Sequence, residues 1–245
     1  MNLELLNNEI FKHCFDSVSR IVDEVTCTVD SEGFHMEAID RSHICFVSLQ
    51  LDYTVFDSFE CTVPEKICLD TVEFMTILKR MKKNDVLGLS IDENNLIIRL
   101  MGDVEKKFKI RLIDMDYETP HAPKLDLPVV VEMESNLLKD SLGDMDLFGD
   151  SLTFKVDKDY IYIYTNGEFG DANFKYLHGE TGINEVVESS YSIDKLKDIL
   201  TASKFSDVVR LGLGNNMPVQ IEFHNISDDG VLSYLLAPKI NQEDE

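Results

Sequence analysis

The stretch EIFKHCFDSVSRIVDEVTCTVDSEGF (residues 9–34) decides the fold, because NLLKDSLGDMDLFGDSLTFKVDKDYI (residues 136–161) repeats its pattern without a gap. The identical pairs are Lys12 with Lys139, Asp23 with Asp150, Thr26 with Thr153, Val29 with Val156, and Asp30 with Asp157. At a slightly different offset, residues 69–72 match 193–196 and residues 108–114 match 232–238. The duplication predicts two similar units of about 120 residues each.

Each unit is predicted to hold two helices and several antiparallel strands. Apolar residues recur at helical spacing over residues 9–22, after the N-cap Asp70, and over residues 136–147 and 194–203, the last after a cap at Ser192. Alternating segments predict strands over residues 25–30, 33–38, 44–51, 86–91, 95–101, 106–114, 151–156, 160–165, 174–177, 208–213, 219–224 and 231–236. The predicted fold is α+β: two helices on one face of a curved antiparallel sheet, formed twice.

A short proline-rich segment separates the units. Pro120, Pro123 and Pro128 lie within nine residues of one another, and proline both fixes the backbone and removes a hydrogen-bond donor. The sequence therefore predicts a first domain over residues 1–116, an extended connector over 117–128 and a second domain over 129–240. An acidic tail is expected over residues 241–245.

Bulk composition is typical of a globular protein. Hydrophobic residues make up 44% of the 245-residue chain, and no apolar run approaches the ~18 residues that cross a bilayer. The five cysteines form no Cys-x-x-Cys pair, which favours buried thiols in a reducing compartment over a zinc site. We expect a soluble cytoplasmic protein without a membrane partner.

Known catalytic and cofactor motifs do not stand out. Gly212-Leu213-Gly214 lacks the third glycine of a dinucleotide loop, and the six histidines form no His-x-x-x-His pair. The pairs Asp114/Asp116 and Asp144/Asp146 are better interpreted as solvated acids around a methionine than as metal ligands. No cofactor or metal is expected; an enzyme with paired carboxylates stays an alternative, since 46 acids produce close pairs by chance.

Charge is distributed unevenly. The chain carries a net charge of −23, yet the four predicted helices hold ten bases and nine acids, which leaves −24 for the rest. Two interpretations remain open from charge alone. The helices could present ordinary solvated faces, or they could form a weakly cationic surface that meets a polyanion on a body that otherwise repels it.

Three segments together resemble the proliferating cell nuclear antigen family of sliding clamps. These are the run MEAIDRSHICFVSL (residues 36–49), with its aspartate and Ser-His before an apolar strand, LIDMD (residues 112–116) before the prolines, and LLAPKI (residues 235–240) before acids. The resemblance spans the chain. Arg41 before Ser42-His43 and the short connector suggest an archaeal member.

The resemblance implies a closed trimeric ring of two-domain subunits, with helices around a hole that takes duplex DNA and sheets outside. Because a closed ring cannot leave the DNA that it encircles, weak contacts with phosphate would be enough to keep it in place. The DNA-facing residues would be Lys12, Arg20, Lys79, Arg80, Lys82, Lys83, Lys139, Lys195, Lys197 and Lys204. The helix over residues 136–147 departs from this pattern because it carries three acids beside Lys139.

The resemblance also implies two protein contact surfaces. A subunit interface would pair residues 105–114 with residues 173–177 of a neighbour, through Lys109, Arg111, Asp140, Asp144, Asp146, Phe174 and Tyr176, with Arg80, Lys82 and Lys83 as further candidates for ion pairs. A pocket for partner peptides would be lined by Ile39, His43, Phe46, Pro120, Ala122, Pro218, Leu235, Leu236, Ala237 and Pro238. From the residues alone, the favoured interpretation of His43 is a structural histidine that caps a turn.

The function these expectations imply is a non-enzymatic processivity factor: a homotrimeric DNA sliding clamp, associated with the nucleoid. Its partners would be duplex DNA without sequence specificity, a DNA polymerase, a clamp loader, and other replication or repair proteins with clamp-binding peptides. The alternatives are a subunit of a heterotrimeric or checkpoint-type clamp and an acidic scaffold that never contacts DNA.

Overall fold

The computed structural model describes residues 1–114, 120–178 and 185–239. In these ranges, four units of one order, strand–helix–strand–strand–strand, follow one another. The first comprises β1 (Asn2–Leu5), α1 (Asn8–Ile21), β2 (Glu24–Val29), β3 (Gly33–Ile39) and β4 (Cys45–Asp52), and is followed by a 3-10 turn (Tyr53–Val55) and β5 (Ser58–Glu60). The second comprises β6 (Glu65–Asp70), α2 (Thr71–Leu78), β7 (Val86–Asp92), β8 (Asn95–Met101) and β9 (Lys106–Arg111).

The second half of the chain repeats this order. Its first unit comprises β10 (Val129–Glu134), α3 (Ser135–Met145), β11 (Ser151–Val156), β12 (Tyr160–Gly167) and β13 (Gly170–Leu177). Its second comprises β14 (Val187–Ser192), α4 (Ile193–Ile199), a 3-10 turn (Leu200–Lys204), β15 (Val208–Leu213), β16 (Val219–His224) and β17 (Gly230–Leu236). Each of the two predicted units therefore contains two smaller copies of one motif.

Within the described residues, the strands form three antiparallel sheets. Five strands run in the order β5-β1-β7-β8-β9, four in the order β13-β12-β11-β14, and eight in the order β10-β15-β16-β17-β4-β3-β2-β6. The sequence predicts a separate sheet for each half. The largest sheet is instead shared, because β4 and β17 pair from Gly230 opposite Leu51 to Leu236 opposite Cys45.

The helices form one layer in the order α2, α1, α4, α3, each packed against the next. A buried junction joins α1 to the second half: the Tyr234 hydroxyl donates to Ser17 Oγ at 2.6 Å, and Ser17 Oγ donates to the Ile199 carbonyl at 3.3 Å. At one end of the layer the Lys106 Nζ of β9 donates to the Arg80 carbonyl just after α2, at 3.2 Å. At the other end α3 packs against β13.

The four predicted helices are confirmed, with ends shifted by only a few residues. Asp70 caps α2 as predicted, since its Oδ1 accepts from the Glu73 N–H at 2.7 Å. Ser192 precedes α4, but its side chain makes no capping bond, and the end of that predicted helix is a 3-10 turn. The sequence missed β1, β5, β6, β10 and β14.

All five cysteines are free thiols, but their burial differs from the expectation. Cys14, Cys27 and Cys45 are buried, whereas Cys61 and Cys68 are half-buried. The domain boundary at residue 116, connector residues 117–119, Ile240 and the predicted tail 241–245 lie outside the described residues. None of the helices in the described part of the chain has both the length and the apolar character that a membrane span requires.

Candidate nucleic-acid interface and partner groove

Most of the bases predicted to face DNA lie on the helix layer or at its ends, and half of the ten already have an acidic partner. These ion pairs are Arg20–Asp198 at 3.8 Å, Lys82–Asp103 at 3.6 Å, Lys195–Asp40 at 2.8 Å, Lys197–Asp146 at 2.7 Å and Lys204–Asp16 at 3.3 Å. Three of them link different helices or the turn after α4: Arg20 and Asp16 belong to α1, and Asp146 directly follows α3. The hydrogen bond from Lys197 to Asp146 raises the pKa of Lys197.

Four other bases form a second group. Within the described part of the chain, no ion pair or side-chain hydrogen bond engages Lys12, Lys79, Arg80 or Lys83. Lys79, Arg80 and Lys83 are exposed and Lys12 is half-buried. Lys139 makes only a long hydrogen bond to Ser203 Oγ, at 3.5 Å. The unpartnered bases therefore concentrate at α2 and at the start of α1.

Asp40 organises the turn between β3 and β4. Its Oδ1 accepts from the N–H groups of Ile44 and Cys45 at 2.9 and 3.0 Å, and its Oδ2 accepts from Ser42 Oγ and Lys195 Nζ at 2.6 and 2.8 Å. The carboxylate is 3% exposed. Burial acts to raise the pKa of Asp40, but hydrogen bonds from Lys195, Ser42 and the two backbone N–H groups together lower it to about 2.

His43 occupies this same turn in the left-handed region, with φ of 58°. Its backbone N–H donates to the Asp40 carbonyl at 2.9 Å, and its side chain is exposed. The turn therefore depends on the Asp40 carboxylate rather than on the imidazole. Lys195, predicted to face DNA, serves here as the counter-ion of a buried acid.

The connector lies across the eight-stranded sheet, on the face away from the helices. His121 Nδ1 is 2.7 Å from Glu37 Oε2 of β3. Farther along, the Leu127 side chain covers Gly212 of β15, where an added Cβ would come within 2.7 Å of Leu127 Cδ1. The connector thus crosses from β3 to β15 over the seam where the two halves pair.

A groove of about 470 Å³ lies between this connector and the sheet. Three residues of the predicted peptide pocket line it: Phe46, Ala122 and Leu235. Sequence reasoning missed the others, which are Ser48, Gln50, Pro123, Lys124, Leu125, Gln220, Glu222, Val231 and Ser233. The alternation along β4 and β17 could have indicated part of this set, since residues 46, 48, 50 and residues 231, 233, 235 each share one face of a strand.

The other predicted pocket residues lie around one end of the groove. Ile39 pairs with Phe46 across β3 and β4. The Ala237 N–H donates to the Ile44 carbonyl at 2.8 Å, which ties the end of the chain to the Asp40 turn. Leu236 is buried, Pro120, Pro218 and Pro238 are half-buried, and His43 is exposed, so these residues contribute unequally to an accessible surface.

Strands β9 and β13 are the outermost strands of their sheets. On β9, Lys109 and Arg111 are exposed. On β13, Phe174 and Tyr176 pack against the core. Lys109 pairs with Asp92 at 2.9 Å. Beside β13, Tyr176 Oη and Ser141 Oγ of α3 are 2.6 Å apart. The acids of α3, Asp140 and Asp144, are exposed at this same edge.

Exposed apolar side chains near β13 were missed by the sequence reasoning. Leu147, Phe169 and Leu177 are 75%, 90% and 76% exposed. Phe169 stands at the tip of the hairpin that joins β12 to β13, between Gly167 and Gly170. Single apolar residues on a surface are common, but these three together form an exposed apolar surface beside β13, which pairs on one side only in the described residues.

Two family models match this chain, one to each half. Residues 1–121 match the model described as "Proliferating cell nuclear antigen, N-terminal domain", and residues 121–239 match "Proliferating cell nuclear antigen, C-terminal domain". The curated proteins named "DNA polymerase sliding clamp" from Methanobrevibacter smithii and Methanothermobacter thermautotrophicus are each 46% identical to it over 241 residues, which is 98% of both chains.

A solved structure has the same architecture. The crystal structure of PCNA from Thermococcus kodakaraensis superposes with a TM-score of 0.91 at 25% identity, and the match covers 97% of this chain and 99% of that one. Four strand–helix–strand–strand–strand units with one continuous helix layer therefore form a DNA-clamp fold. The chain belongs to the proliferating cell nuclear antigen family.

Proposed function

We propose that this chain is a DNA polymerase sliding clamp whose subunits close head to tail into a homotrimeric ring around duplex DNA. The relatives named DNA polymerase sliding clamp, at 46% identity over 98% of the chain, support the function. The single observation that carries the ring is the position of β9 and β13, which bound opposite ends of the helix layer. We propose no catalytic step and no cofactor, and we place its action on DNA inside the cell.

The pairing of β4 with β17 inside the chain has the same form as the proposed contact between subunits. In the repeat, β13 follows β12 as β4 follows β3, and β9 follows β8 as β17 follows β16. Strands β4 and β17 pair over seven residues within the chain. In the described part of the chain, their counterparts β13 and β9 each pair on one side only. A β9–β13 contact between subunits would repeat the internal pairing and close a ring if the rotation is the same.

Charge on the two edges favours this contact. The β9 edge carries Lys106, Lys107, Lys109 and Arg111, with Arg80 and Lys83 close to the same end of the layer. The α3–β13 edge carries Asp140, Asp144 and Asp171. Opposite charges on a head-to-tail contact set its orientation and disfavour pairing of like edges. Apolar Phe108 and Ile110 of β9, like Phe174 and Tyr176 of β13, lie on the core side of their strands.

The helix layer would then face the hole. Its bases meet phosphate without reading bases, so binding is independent of sequence and weakens with salt. A closed ring does not need tight contact, because topology prevents loss from circular DNA. The strongly acidic remainder of the chain repels DNA and leaves the helix face as the one that approaches the duplex.

The groove under the connector would take short peptides of a polymerase, a clamp loader and other replication or repair proteins. The paired strands β4 and β17 form its floor. Phe46, Leu125 and Leu235 would provide the apolar surface that contacts the peptide. The polar side chains Gln50, Gln220 and Glu222 offer hydrogen bonds beside these anchors. Apolar pockets with a few convergent polar groups are typical peptide sites.

Two measurements test the ring and its function. Light scattering of the purified chain should give a mass near three times 28.0 kDa, falling as salt weakens the charged edges. Protein loaded by a clamp loader should stay on closed circular DNA and be lost after linearisation. A chain that stays monomeric until a related chain is added would support the heterotrimeric alternative instead. If the loaded protein is not retained on closed circular DNA, the proposed clamp function is wrong.

A further inference from the structure

The ion pairs of the helix layer divide its bases into two electrostatic groups. Around α4, bases and acids are matched across helices: Arg20 with Asp198, Lys204 with Asp16, and Lys197 with Asp146. Toward α2 they are not matched, since Lys12, Lys79, Arg80 and Lys83 have no acidic partner in the described residues. Sequence alone shows ten bases and gives no reason to separate them.

A base that already has a carboxylate partner is a poor ligand for a phosphate. Much of the free energy of phosphate binding comes from the release of counter-ions that condense on DNA, and each phosphate neutralised adds about 0.9 to the slope of log K against log salt. A paired lysine must give up or share its aspartate before it neutralises a phosphate. The aspartate also remains beside the duplex as a repulsive charge.

We propose that Asp16, Asp198 and Asp146 act as built-in counter-ions that limit how tightly the helix layer holds DNA, and that Lys12 and Lys79 make its main phosphate contacts. This inference rests on the proposed function. It explains why a surface that faces DNA carries acids: they keep the contact between the helix layer and DNA weak enough for the ring to move along the duplex. The three aspartates are therefore mobility-determining residues, not only links between helices.

The decisive experiment compares Asp16→Asn with Asp198→Asn, combined in one variant, against the matched variant Glu32→Gln with Asp159→Asn. Asp146 is left intact because it lies near the proposed subunit edge. Both variants remove two negative charges per subunit, but Glu32 and Asp159 are exposed in turns between strands, away from the helices. Binding of each preformed ring to a short fluorescent linear duplex, which the ring can thread from an end, is measured across a salt series.

We expect the D16N/D198N ring to bind several-fold more tightly at low salt, with a salt slope steeper by about 1 to 2 because freed Lys204 and Arg20 neutralise phosphates. The E32Q/D159N ring should keep the slope of the unmodified ring. An equal slope for all three rings would overturn the inference. A purely structural role would lower thermal stability and leave the salt slope unchanged.

A second pair of variants gives a result even if the aspartate variant folds poorly. Lys12→Met with Lys79→Met should reduce the salt slope by about 1 or more, whereas Arg20→Met with Lys204→Met should leave it nearly unchanged. An equal loss of slope in both would overturn the division of the bases. Retention of the unmodified ring on closed circular DNA is tested separately: its absence would overturn the proposed function, and its presence with unchanged slopes would overturn only this inference.

Discussion

At equivalent positions of the repeat, α1 places Phe11 and Phe15 in the core where α3 places Leu138 and Leu142. Phe11 and Phe15 stack at 4.9 Å between ring centroids and meet Phe34 and Phe74 edge-on. The surfaces differ as well. Helix α1 lies inside the helix layer and matches its charges with α4, whereas α3 lies at the end and exposes Asp140 and Asp144.

Because α1 and α3 occupy equivalent positions of the repeat, the repeat does not account for this difference, which instead accompanies their different places in the helix layer. Helix α1 has a helix on each side, buries Phe11 and Phe15, and forms ion pairs with α4 and the turn after it through Arg20 and Asp16. Helix α3, at the end of the layer, lies beside β13 and exposes Asp140 and Asp144, which the proposed ring would place against a neighbouring subunit. Four changes probe this comparison.

The largest effect is expected in the aromatic core of α1. Phe15→Ala should lower the free energy of unfolding by about 4 kcal/mol, because it removes a fully buried ring and leaves a cavity, while Leu142→Ala should cost about 3 kcal/mol. Urea unfolding at fixed protein concentration measures both. Val72→Ala, at a side chain 53% exposed, is the control and should change stability by less than about 0.5 kcal/mol. A larger loss for Leu142→Ala would contradict the greater role assigned to the aromatic core.

The second test reverses the charges of α3. Asp140→Lys with Asp144→Lys should place like charges against the basic edge of the next subunit, at a cost of about 3 kcal/mol per contact. Light scattering should then give a mass near 28.0 kDa rather than a trimer. Adding Arg80→Glu with Lys83→Glu should restore the trimer by the reciprocal exchange. A trimer that survives the first reversal would place the subunit contact elsewhere.

The sequence predicts the helices well because their apolar period and caps are local. It fails on β6, β10 and β14, which precede α2, α3 and α4, for reasons that the residues make clear. Strand β14 buries Ser189 between Val187 and Tyr191, so its inward face is not continuously apolar. Strand β10 directly follows the prolines, where a linker is the natural interpretation.

The candidate site also has parts that local sequence reveals and parts that it does not. Motifs that are continuous in sequence, such as residues 36–49 around Asp40 and residues 235–240 at the end of β17, can be recognised from the sequence alone. The polar lining of the groove was not, because Gln50, Gln220 and Glu222 meet only through the long-range pairing of β4 with β17. The separation of paired from unpaired bases also requires knowing that α1 lies beside α4. Contacts between distant segments carry this information, and no local pattern encodes them.

The third test concerns the hairpin turns that close β3–β4 and β12–β13. The first is organised by the buried Asp40 carboxylate, and the second by Gly167 and Gly170, the latter with φ of 149°. Only the first should respond to acid. Lowering the pKa of Asp40 from 3.8 to about 2 stabilises the fold by about 2 kcal/mol above pH 4, and this is lost as the pH falls from about 4 to 2.

Asp40→Asn should remove this contribution, so the unfolding free energy at pH 7 falls by about 2 kcal/mol and its decline between pH 4 and pH 2 becomes shallower. Urea unfolding across that range measures the slope. Asp159→Asn, at an exposed position, is the matched control and should keep the slope of the unmodified chain. An unchanged slope for Asp40→Asn would mean that Lys195 and the turn do not stabilise the ionised form.

The smallest effect should come from the hydroxyl that joins α3 to β13. Ser141 is equivalent to Cys14 of α1, a buried thiol, yet its Oγ lies 2.6 Å from Tyr176 Oη and 2.7 Å from the Leu137 carbonyl. Ser141→Ala should cost about 1 kcal/mol, the usual net value of one such hydrogen bond. A double-mutant cycle with Tyr176→Phe isolates the pair, and we expect a coupling energy of about 1 kcal/mol. A coupling near zero would mean that α3 is held to β13 by apolar packing alone.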